Sequence, residues 1–250
     1  MIKIMKKTDP RWGQNNREKK ALAILETLKT EKPNLKIQKQ HWLDIGCGSG
    51  GIASSLAPYV GHMYGIDPEP WQRWESFEEK NKNLNFFIGG YEAINQHFKE
   101  KSMDVVICNQ VYEHVDNVDN LIMAIFYCLK NDGVCYFAGP NLLWPIEPHV
   151  FLPFVHWLPR SIAHAGMRFF GLKKWQELDA YSWNYWKLKK HLKKSGFDVV
   201  SIIPERIAAS LKTNNSFWLL ILLRPWFFLI RWLSPISPSF VFLITKSKNA

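Results

Sequence analysis

The stretch that decides the fold is His41-Trp42-Leu43-Asp44-Ile45-Gly46-Cys47-Gly48-Ser49-Gly50-Gly51. It consists of a short apolar run with an acidic residue near its end, followed by glycines and then by the start of a helical segment. A strand that turns through glycines into a helix lets backbone N–H groups approach a ligand closely. The stretch therefore predicts a cofactor-binding turn.

Two templates fit these glycines, and they imply different cofactors. The spacing Gly46-x-Gly48-x-x-Gly51 matches a dinucleotide fingerprint, in which the backbone approaches a pyrophosphate. The spacing Asp44-x-Gly46-x-Gly48-x-Gly50 resembles the first motif of S-adenosylmethionine (SAM)-dependent methyltransferases. A carboxylate beside the loop repels a pyrophosphate, whereas it attracts the ammonium of an amino-acid-like cofactor whose carboxylate faces the loop N–H groups. Asp44 therefore favours SAM.

Composition favours one domain that spans residues 1–250. Of the 250 residues, 47% are hydrophobic, which is enough for one large core. The cysteines form no Cys-x-x-Cys pair, so we expect reduced core residues and no zinc or other metal site. They are Cys47, Cys108, Cys128 and Cys135. Residues 1–12 contain no apolar run and no cleavage-site pattern, which predicts a cytoplasmic location.

The net charge of +10 is concentrated most visibly in the lysine-rich residues 187–194. Leu188 and Leu192, four positions apart, mark the inward stripe of a helix there. A lysine face of this kind is a solvated surface by default, and the alternative is attraction to anionic lipid or nucleic acid. No zinc finger or RNA-recognition motif accompanies the lysines, so a nucleic-acid partner is not favoured.

Helices and strands alternate along the chain. Apolar residues at helical spacing predict helices at 15–30, 52–57, 69–80 and 121–129. After the first strand, apolar runs predict strands at 62–66, 84–88, 103–108, 134–138, 197–203 and 241–246, with a turn at 131–133. This alternation predicts an α/β fold, namely a Rossmann-like, doubly wound, mostly parallel sheet of seven strands. An insertion at 141–182 follows the fifth strand, and an apolar segment at 205–237 separates the last two.

Polar residues follow two of the predicted strands. Asp67 ends the second strand about 20 positions beyond the glycines, where nucleotide-binding folds bind the ribose diol. The alternative is an ordinary helix N-cap near Pro68. Asn109 and Gln110 end the fourth strand, and open α/β sheets bind ligands at that edge. These residues are therefore predicted to lie near the same cofactor.

The ordered motifs resemble those of class I SAM-dependent methyltransferases, particularly the small-molecule group that includes the ubiquinone- and menaquinone-biosynthesis enzymes. The resemblance covers residues 16–139. The motifs are Leu-Asp-Ile-Gly-Cys-Gly-Ser-Gly at 43–50, Gly-Ile-Asp at 65–67, Asp-Val-Val-Ile-Cys-Asn at 104–109 and Glu-His-Val at 113–115.

The resemblance implies a role for each matching residue. Asp44, Gly46, Gly48 and Gly50 would hold the methionine end of SAM, Asp67 would bind the ribose, and Asn109 with Gln110 would lie near the sulfonium. Cys47, Ser49 and Pro68 would line the same site. One departure concerns adenine, since such enzymes usually place an acidic residue after the third strand. This chain has Gly89-Gly90-Tyr91 there, and Glu92 is the candidate substitute.

The insertion at 141–182 is aromatic, is stiffened by proline and carries few charges over its first half. Long loops with organised apolar content are typical of binding lids. Glu147 and His149, two positions apart and held by Pro145 and Pro148, are the candidate catalytic residues, through acceptor contact or as a base. The alternative is that they form hydrogen bonds that hold the loop.

Residues 216–233 are very apolar and contain Arg224 and Arg231 but no acidic residue. A membrane-spanning helix is excluded, because both arginines would enter the bilayer and Pro225 breaks the helix. The segment either packs into the core beside the lid or lies in a membrane interface. An apolar, lipid-linked methyl acceptor fits both alternatives.

We therefore expect a SAM-dependent methyltransferase that acts on a small apolar or aromatic molecule, with oxygen as the acceptor atom. An anionic membrane surface is the candidate further partner, which would place a cytoplasmic protein at the inner membrane face. The alternatives are a nucleic-acid methyltransferase, which lacks the Asn/Asp-Pro-Pro-Tyr motif here, a catalytically silent SAM-binding partner protein, and a nicotinamide-dependent dehydrogenase. The sequence carries no signal of oligomeric state.

Overall fold

The computed structural model describes residues 14–34, 36–147, 150–172, 178 and 181–248. Seven strands in this part of the chain form one sheet. The strands are β1 His41–Ile45, β2 His62–Asp67, β3 Leu84–Ile88, β4 Met103–Asn109, β5 Leu129–Pro140, β6 Phe197–Ser201 and β7 Ser239–Lys246. The α-helices are α1 Gln14–Glu31, α2 Gly51–Leu56, α3 Arg73–Lys80, α4 Ile94–His97, α5 Val118–Cys128, α6 Arg160–Phe169, α7 Tyr185–Lys194, α8 Ile203–Thr213, α9 Phe217–Leu223 and α10 Phe227–Trp232.

The strand order is β3-β2-β1-β4-β5-β7-β6. β7 is antiparallel to both neighbours, and the other pairs are parallel. This order confirms the predicted Rossmann-like, mostly parallel sheet. The chain switches direction across the sheet between β1 and β4, and ligands bind outside the carboxyl ends of the strands at such a switch point. The glycine turn after β1 lies there.

Alternate residues of β1 enter apolar cores on opposite faces of the sheet. Leu43 lies in the core that includes side chains from α5 and α7, and Trp42 lies in the core that includes side chains from α1 and α2. Leu188 and Leu192 are fully buried, as the predicted inward stripe of α7 requires. The four cysteines are free and buried.

Several predicted boundaries differ from those of the structure, and three of the differences have a clear physical reason. Residues 131–133 are not a turn but part of β5, which starts at Leu129 because that residue already pairs with Met103. α3 starts at Arg73, since the preceding segment bends back to donate the Glu69 N–H to Asp67 Oδ1 at 3.1 Å. β6 ends at Ser201, because α8 begins at Ile203 with a proline in its first turn.

The apolar segment at 205–237 forms three short helical pieces rather than one rod. It includes most of α8 and all of α9 and α10, and α8 packs on α1. No residue of α9 or α10 is buried, although Ile230 packs partly against the core. Within the described ranges, no helix has both the length and the apolar character needed to cross a membrane.

Candidate functional site

The glycine turn between β1 and α2 follows a path that side chains would block. Gly46 and Gly50 have φ values of 67° and 78°, a region that favours glycine. A Cβ atom at Gly46 would lie 2.6 Å from Val111 Cγ2, and one at Gly50 would lie 2.5 Å from Phe86 Cζ. The backbone can therefore approach its neighbours closely only with glycine at these positions.

Asp44 lies at the carboxyl end of β1 and is only 3% exposed. Its Oδ2 atom accepts no hydrogen bond from the described residues. Burial raises the pKa of its carboxyl to about 7, while the positive charge of Arg17 opposes the shift. A buried carboxylate oxygen without a donor is costly, so the site is suited to a cationic donor.

The amino-terminal half of α1 brings cations toward the carboxylates of Asp44 and Glu113. Arg17 and Lys20 both interact electrostatically with Asp44, and Lys20 also interacts with Glu113. Burial, and to a lesser extent the charge of Arg17, lower the pKa of Lys20 to about 8. Helix α1 therefore contributes to the electrostatics around Asp44, which the sequence analysis did not predict.

Asp67 connects the glycine turn to the end of β2. Its Oδ2 accepts a hydrogen bond from the Gly48 N–H at 2.8 Å, and its Oδ1 accepts from the Glu69 N–H at 3.1 Å. Each carboxylate oxygen has a second lone pair that can accept a hydroxyl hydrogen. Asp67 thus holds the loop in shape and can still accept hydrogen bonds from a ligand. The neighbouring Pro68 is exposed.

Trp74 of α3 holds the other side of the turn. Its indole N–H donates to the Gly48 carbonyl oxygen at 2.9 Å, and its ring stacks on Phe86 with centroids 4.9 Å apart. Sequence analysis did not predict this contact, because an aromatic face on a helix indicates core packing equally well. The turn residues Cys47 and Ser49 are themselves buried.

Asn109 and Gln110 end β4, next to β1. Gln110 has a φ of 61° and donates its N–H to the Ala138 carbonyl oxygen at 2.8 Å. A positive φ in a residue other than glycine is uncommon and is typical of functional sites. The Gln110 side chain is exposed, and Asn109 is half-buried. The structure therefore places both residues at the carboxyl edge beside the glycine turn.

The segment after β3 differs from the usual pattern as the sequence indicated. Glu92 is exposed, and its carboxylate lies over Gly90. Burial raises the pKa of the Tyr91 hydroxyl, and a hydrogen bond to Glu92 raises it further. Glu92 is therefore already engaged by its neighbour.

Tyr112, just after β4, joins the two ends of the insertion at 141–182, which we call the lid. Its hydroxyl donates to the Pro140 carbonyl oxygen at 2.5 Å and accepts the Trp183 N–H at 3.0 Å. The next residue, Glu113, is buried, and its backbone oxygen accepts the Tyr181 N–H at 2.8 Å. Sequence analysis did not predict these anchors.

Within the lid, Glu147 is 3% exposed and holds a tight loop. Its Oε2 accepts the Val150 N–H at 2.7 Å, and its own N–H donates to Leu152 at 2.9 Å. These contacts resemble the loop-holding alternative, and its role toward an acceptor stays a prediction. Pro148 and His149, the second candidate catalytic residue, lie outside the described residues.

A small apolar core supports the lid. Its buried side chains are Val150, Val155, Ala163, Met167 and Leu178. Among the residues that the structure describes, no group of three or more His, Cys, Asp or Glu side chains is arranged to hold a metal ion. The arrangement that remains is the carboxyl edge of the sheet at the switch point, where the glycine turn and the carboxylates of Asp44 and Asp67 lie, together with an apolar lid that follows β5.

Comparison with known proteins gives one family match. The family model described as a methyltransferase domain matches residues 14–202. The ubiquinone biosynthesis O-methyltransferase of Rickettsia typhi is 32% identical over 108 residues, which is 42% of this chain and 43% of that protein. The Hydrogenovibrio crunogenus protein of the same name is 29% identical over 136 residues, 52% of this chain and 56% of that protein. The chain thus spans about half, or less, of the length of these curated relatives.

Solved structures share the fold. The YcgJ protein of Bacillus subtilis superposes with a TM-score of 0.56 at 15% identity, covering 91% of this chain and 98% of that one. Phosphoethanolamine N-methyltransferase 2 of Haemonchus contortus, solved in complex with SAM, gives a TM-score of 0.55 at 16% identity and covers 96% of this chain and 59% of that one. At these identities the likeness concerns the fold alone.

Proposed function

The chain belongs to the methyltransferase domain family, and from this premise we propose that it transfers a methyl group from SAM to an oxygen atom of a small acceptor. The observation that carries the proposal is Asp44. It presents a buried oxygen without a donor among the described residues, at the switch point of the sheet. A pyrophosphate would be repelled there, whereas an ammonium would donate a hydrogen bond.

The residues around the turn fit SAM piece by piece. Asp44 would bind the ammonium, and the turn formed by Gly46, Cys47, Gly48, Ser49 and Gly50 would face the methionine carboxylate. Asp67 would accept hydrogen bonds from the ribose beside Pro68, and Asn109 with Gln110 would lie near the sulfonium. In support, these residues all lie on the carboxyl edge at β1, β2 and β4.

When bound, SAM supplies an electrophilic methyl group on a sulfonium. The protein has to align the acceptor and exclude water, effects that can lower a barrier by ~7–11 kcal/mol. A base that takes the proton of a neutral hydroxyl contributes about 10²–10⁴-fold more. We propose Glu147 and His149 for acceptor contact or for that base.

The proposed acceptor is apolar and lipidic or lipid-linked. The lid is rich in apolar side chains, and several of them are exposed, among them Phe151, Phe154 and Trp157. Oxygen is the proposed acceptor atom, because the matched relatives are O-methyltransferases by name. The proposal also places the protein at the inner face of a membrane as a peripheral protein.

The test begins with cofactor binding. SAM is expected to raise the unfolding temperature, and NAD(H) is not, since only a ligand of the native state stabilises it. Asp44→Asn should weaken SAM binding by about tenfold or more, because it removes a charge-assisted hydrogen bond. Asp198→Asn, at an exposed position on β6, is the matched control. An unchanged SAM affinity in Asp44→Asn would refute the assignment.

The second stage uses radiolabelled SAM and a panel of phenols with and without polyprenyl tails. Methyl transfer to oxygen of a tailed phenol is the expected result. Binding of SAM without transfer across the whole panel would indicate a catalytically silent partner protein. Transfer to RNA or DNA, or activity stimulated by RNA, would indicate a nucleic-acid methyltransferase instead.

A further inference from the structure

Helices α9 and α10, with the turn between them and the residue after α10, present an apolar surface to solvent, which we call the tail face. Its side chains are between 37% and 82% exposed. They are Phe217, Trp218, Ile221, Leu222, Trp226, Phe228, Leu229, Trp232 and Leu233. Within each helix the exposed positions recur at helical spacing, so they share one side of that helix. The half-buried residues between them, such as Leu220 and Ile230, form the inner side.

This distribution is the reverse of a water-facing helix. A helix on the surface of a globular protein normally turns charged or polar side chains outward and apolar ones inward. Here the outward side is formed by large aromatic and aliphatic side chains. Contiguous exposed apolar patches of this kind mark interaction sites rather than ordinary surface. The tail face is therefore a candidate interaction surface.

We propose that the tail face docks on an anionic lipid bilayer and that this docking turns the lid and the carboxyl edge of the sheet toward the membrane. The inference rests on the proposed function only for the second step, since a lipid-linked acceptor would arrive from that bilayer. Docking itself follows from the surface.

Charge selects the lipid. Between residues 206 and 238 the chain contains Arg206, Lys212, Arg224 and Arg231 but no Asp or Glu. Glu205, just before this range, is ion-paired with Arg231. Basic residues near a membrane are attracted to anionic headgroups, and Trp is favoured at the membrane–water boundary. The exposed Arg224 between α9 and α10 is placed to meet those headgroups.

The segment has the dimensions of a surface-lying element. α9 has 7 residues and α10 has 6, with Pro225 between them. A spanning helix needs about 20 residues. Amphipathic helices that lie in the interface bury one apolar side at the boundary between headgroups and acyl chains. The tail face supplies that side, and the inner side stays on α8.

The topology fixes which part of the molecule faces the bilayer. The tail leaves β6 and returns to β7 at the same sheet edge where the glycine turn and the lid emerge, because β6 is antiparallel to β7, which is antiparallel to β5. The side-chain amide of Asn141, the first lid residue, donates to Pro235 and Ser237 carbonyl oxygens at 2.8 and 2.9 Å. Lid and tail are thus joined.

The lysine face of α7 is a poorer candidate for the same contact. Its last turn, with Lys193 and Lys194, directly precedes β6 and so lies toward the opposite sheet edge. Earlier in the helix, Lys187 lies over the Trp183 ring at 4.0 Å. These lysines are therefore expected to add long-range attraction without forming the contact.

The test measures sedimentation of the full chain with vesicles of phosphatidylcholine alone or mixed equally with phosphatidylglycerol. We expect binding to the mixed vesicles to be at least about tenfold stronger than to phosphatidylcholine and to weaken with salt. The double variant Trp218→Ser/Phe228→Ser should lose at least about tenfold in partitioning. Tyr59→Ser/Met123→Ser, which removes two exposed apolar side chains elsewhere, should bind as the unaltered chain does.

The opposite results would overturn the proposal. The first is that the chain binds no vesicle, and the second is that the Trp218→Ser/Phe228→Ser variant binds as strongly as the unaltered chain. The third is light scattering that shows a dimer held together through the tail face, if that dimer persists when vesicles are added. SAM binding, measured on the same variants, should be unchanged. A chain that binds vesicles but not SAM would support docking and refute the proposed function.

Discussion

The hydroxyl oxygen of Tyr112 accepts a hydrogen bond from the backbone N–H of Trp183 at 3.0 Å. The same hydroxyl donates to the carbonyl oxygen of Pro140. Pro140 ends β5, and Trp183 lies two residues before the start of α7. The buried side chain of Tyr112 therefore attaches both ends of the lid to the loop after β4. The proposed acceptor site is thereby attached to the proposed cofactor site.

Tyr112→Phe tests this attachment. The variant keeps the ring but leaves two backbone groups without their partner, so we expect a loss of about 1–3 kcal/mol in the free energy of unfolding. The KM for the acceptor should rise, whereas the SAM dissociation constant should change little. Urea unfolding and steady-state kinetics measure both. Tyr59→Phe, at an exposed tyrosine, is the control, and an unchanged acceptor KM in Tyr112→Phe would contradict the anchoring role.

The pKa of Asp44 gives the stability of the cofactor-free protein a defined pH dependence. Burial raises this pKa to about 7 from its usual value of 3.8, so between these pH values the folded state holds a proton that the unfolded state has released. The Asp44 contribution to stability is therefore present at low pH and is lost as pH rises toward about 7. Urea unfolding at several pH values should show a downward slope that Asp44→Asn lacks.

SAM should change that slope. Binding of an ammonium favours the ionised carboxylate, so SAM affinity is expected to increase as pH rises through about 7. Titration calorimetry across this range measures the effect. A SAM affinity that stays constant with pH, or that falls, would argue against an ion pair at Asp44.

Gly50→Ala should damage the glycine turn. The new Cβ would lie 2.5 Å from Phe86 Cζ at a φ of 78°, so we expect destabilisation of about 1–3 kcal/mol together with loss of SAM binding. Gly166→Ala is the matched control. Gly166 lies inside α6 with open space around it, and there alanine should stabilise by up to about 1 kcal/mol. Thermal unfolding and SAM titration of Gly50→Ala and Gly166→Ala compare the stability and the SAM affinity of the two variants.

Glu147→Gln separates a charge role from a loop role in the lid. Glutamine can still accept the Val150 N–H through its carbonyl oxygen, so the loop should persist while any base function is lost. We expect turnover to fall by about tenfold or more with unchanged SAM affinity. His149→Ala should give the same pattern. If only Glu147→Ala lowers turnover and Glu147→Gln does not, the residue holds the loop and is not the base.

Much of the fold could be predicted because local patterns encode it. The continuous apolar run of β4 indicates a strand buried on both faces, and glycines at 46, 48 and 50 indicate the turn after β1. The start of β5 at Leu129 was missed, since Asn131-Asp132-Gly133 is typical of a turn. Pairing of Leu129 with Met103 outweighed that local preference.

The contacts that organise the site could not be predicted from the sequence. Tyr112 and Trp183 are 71 positions apart, and a hydrogen bond over that separation leaves no periodic pattern. For a different reason, the sequence did not decide whether the segment that forms α9 and α10 packs into the core or lies in a membrane interface. An apolar stripe that faces a core and one that faces lipid have the same composition, and only packing against α8 distinguishes the inner side from the outer side.

The dual contact of Asp67 has one further consequence. Because its carboxylate already receives the amide hydrogen of Gly48, the shape of the loop and the proposed recognition of the ribose depend on one side chain. Neither property can be altered there without disturbing the other, so substitutions at this position would give a protein that is impaired in folding and in recognition together. Engineering a different nucleoside preference would have to begin at other positions of the proposed site.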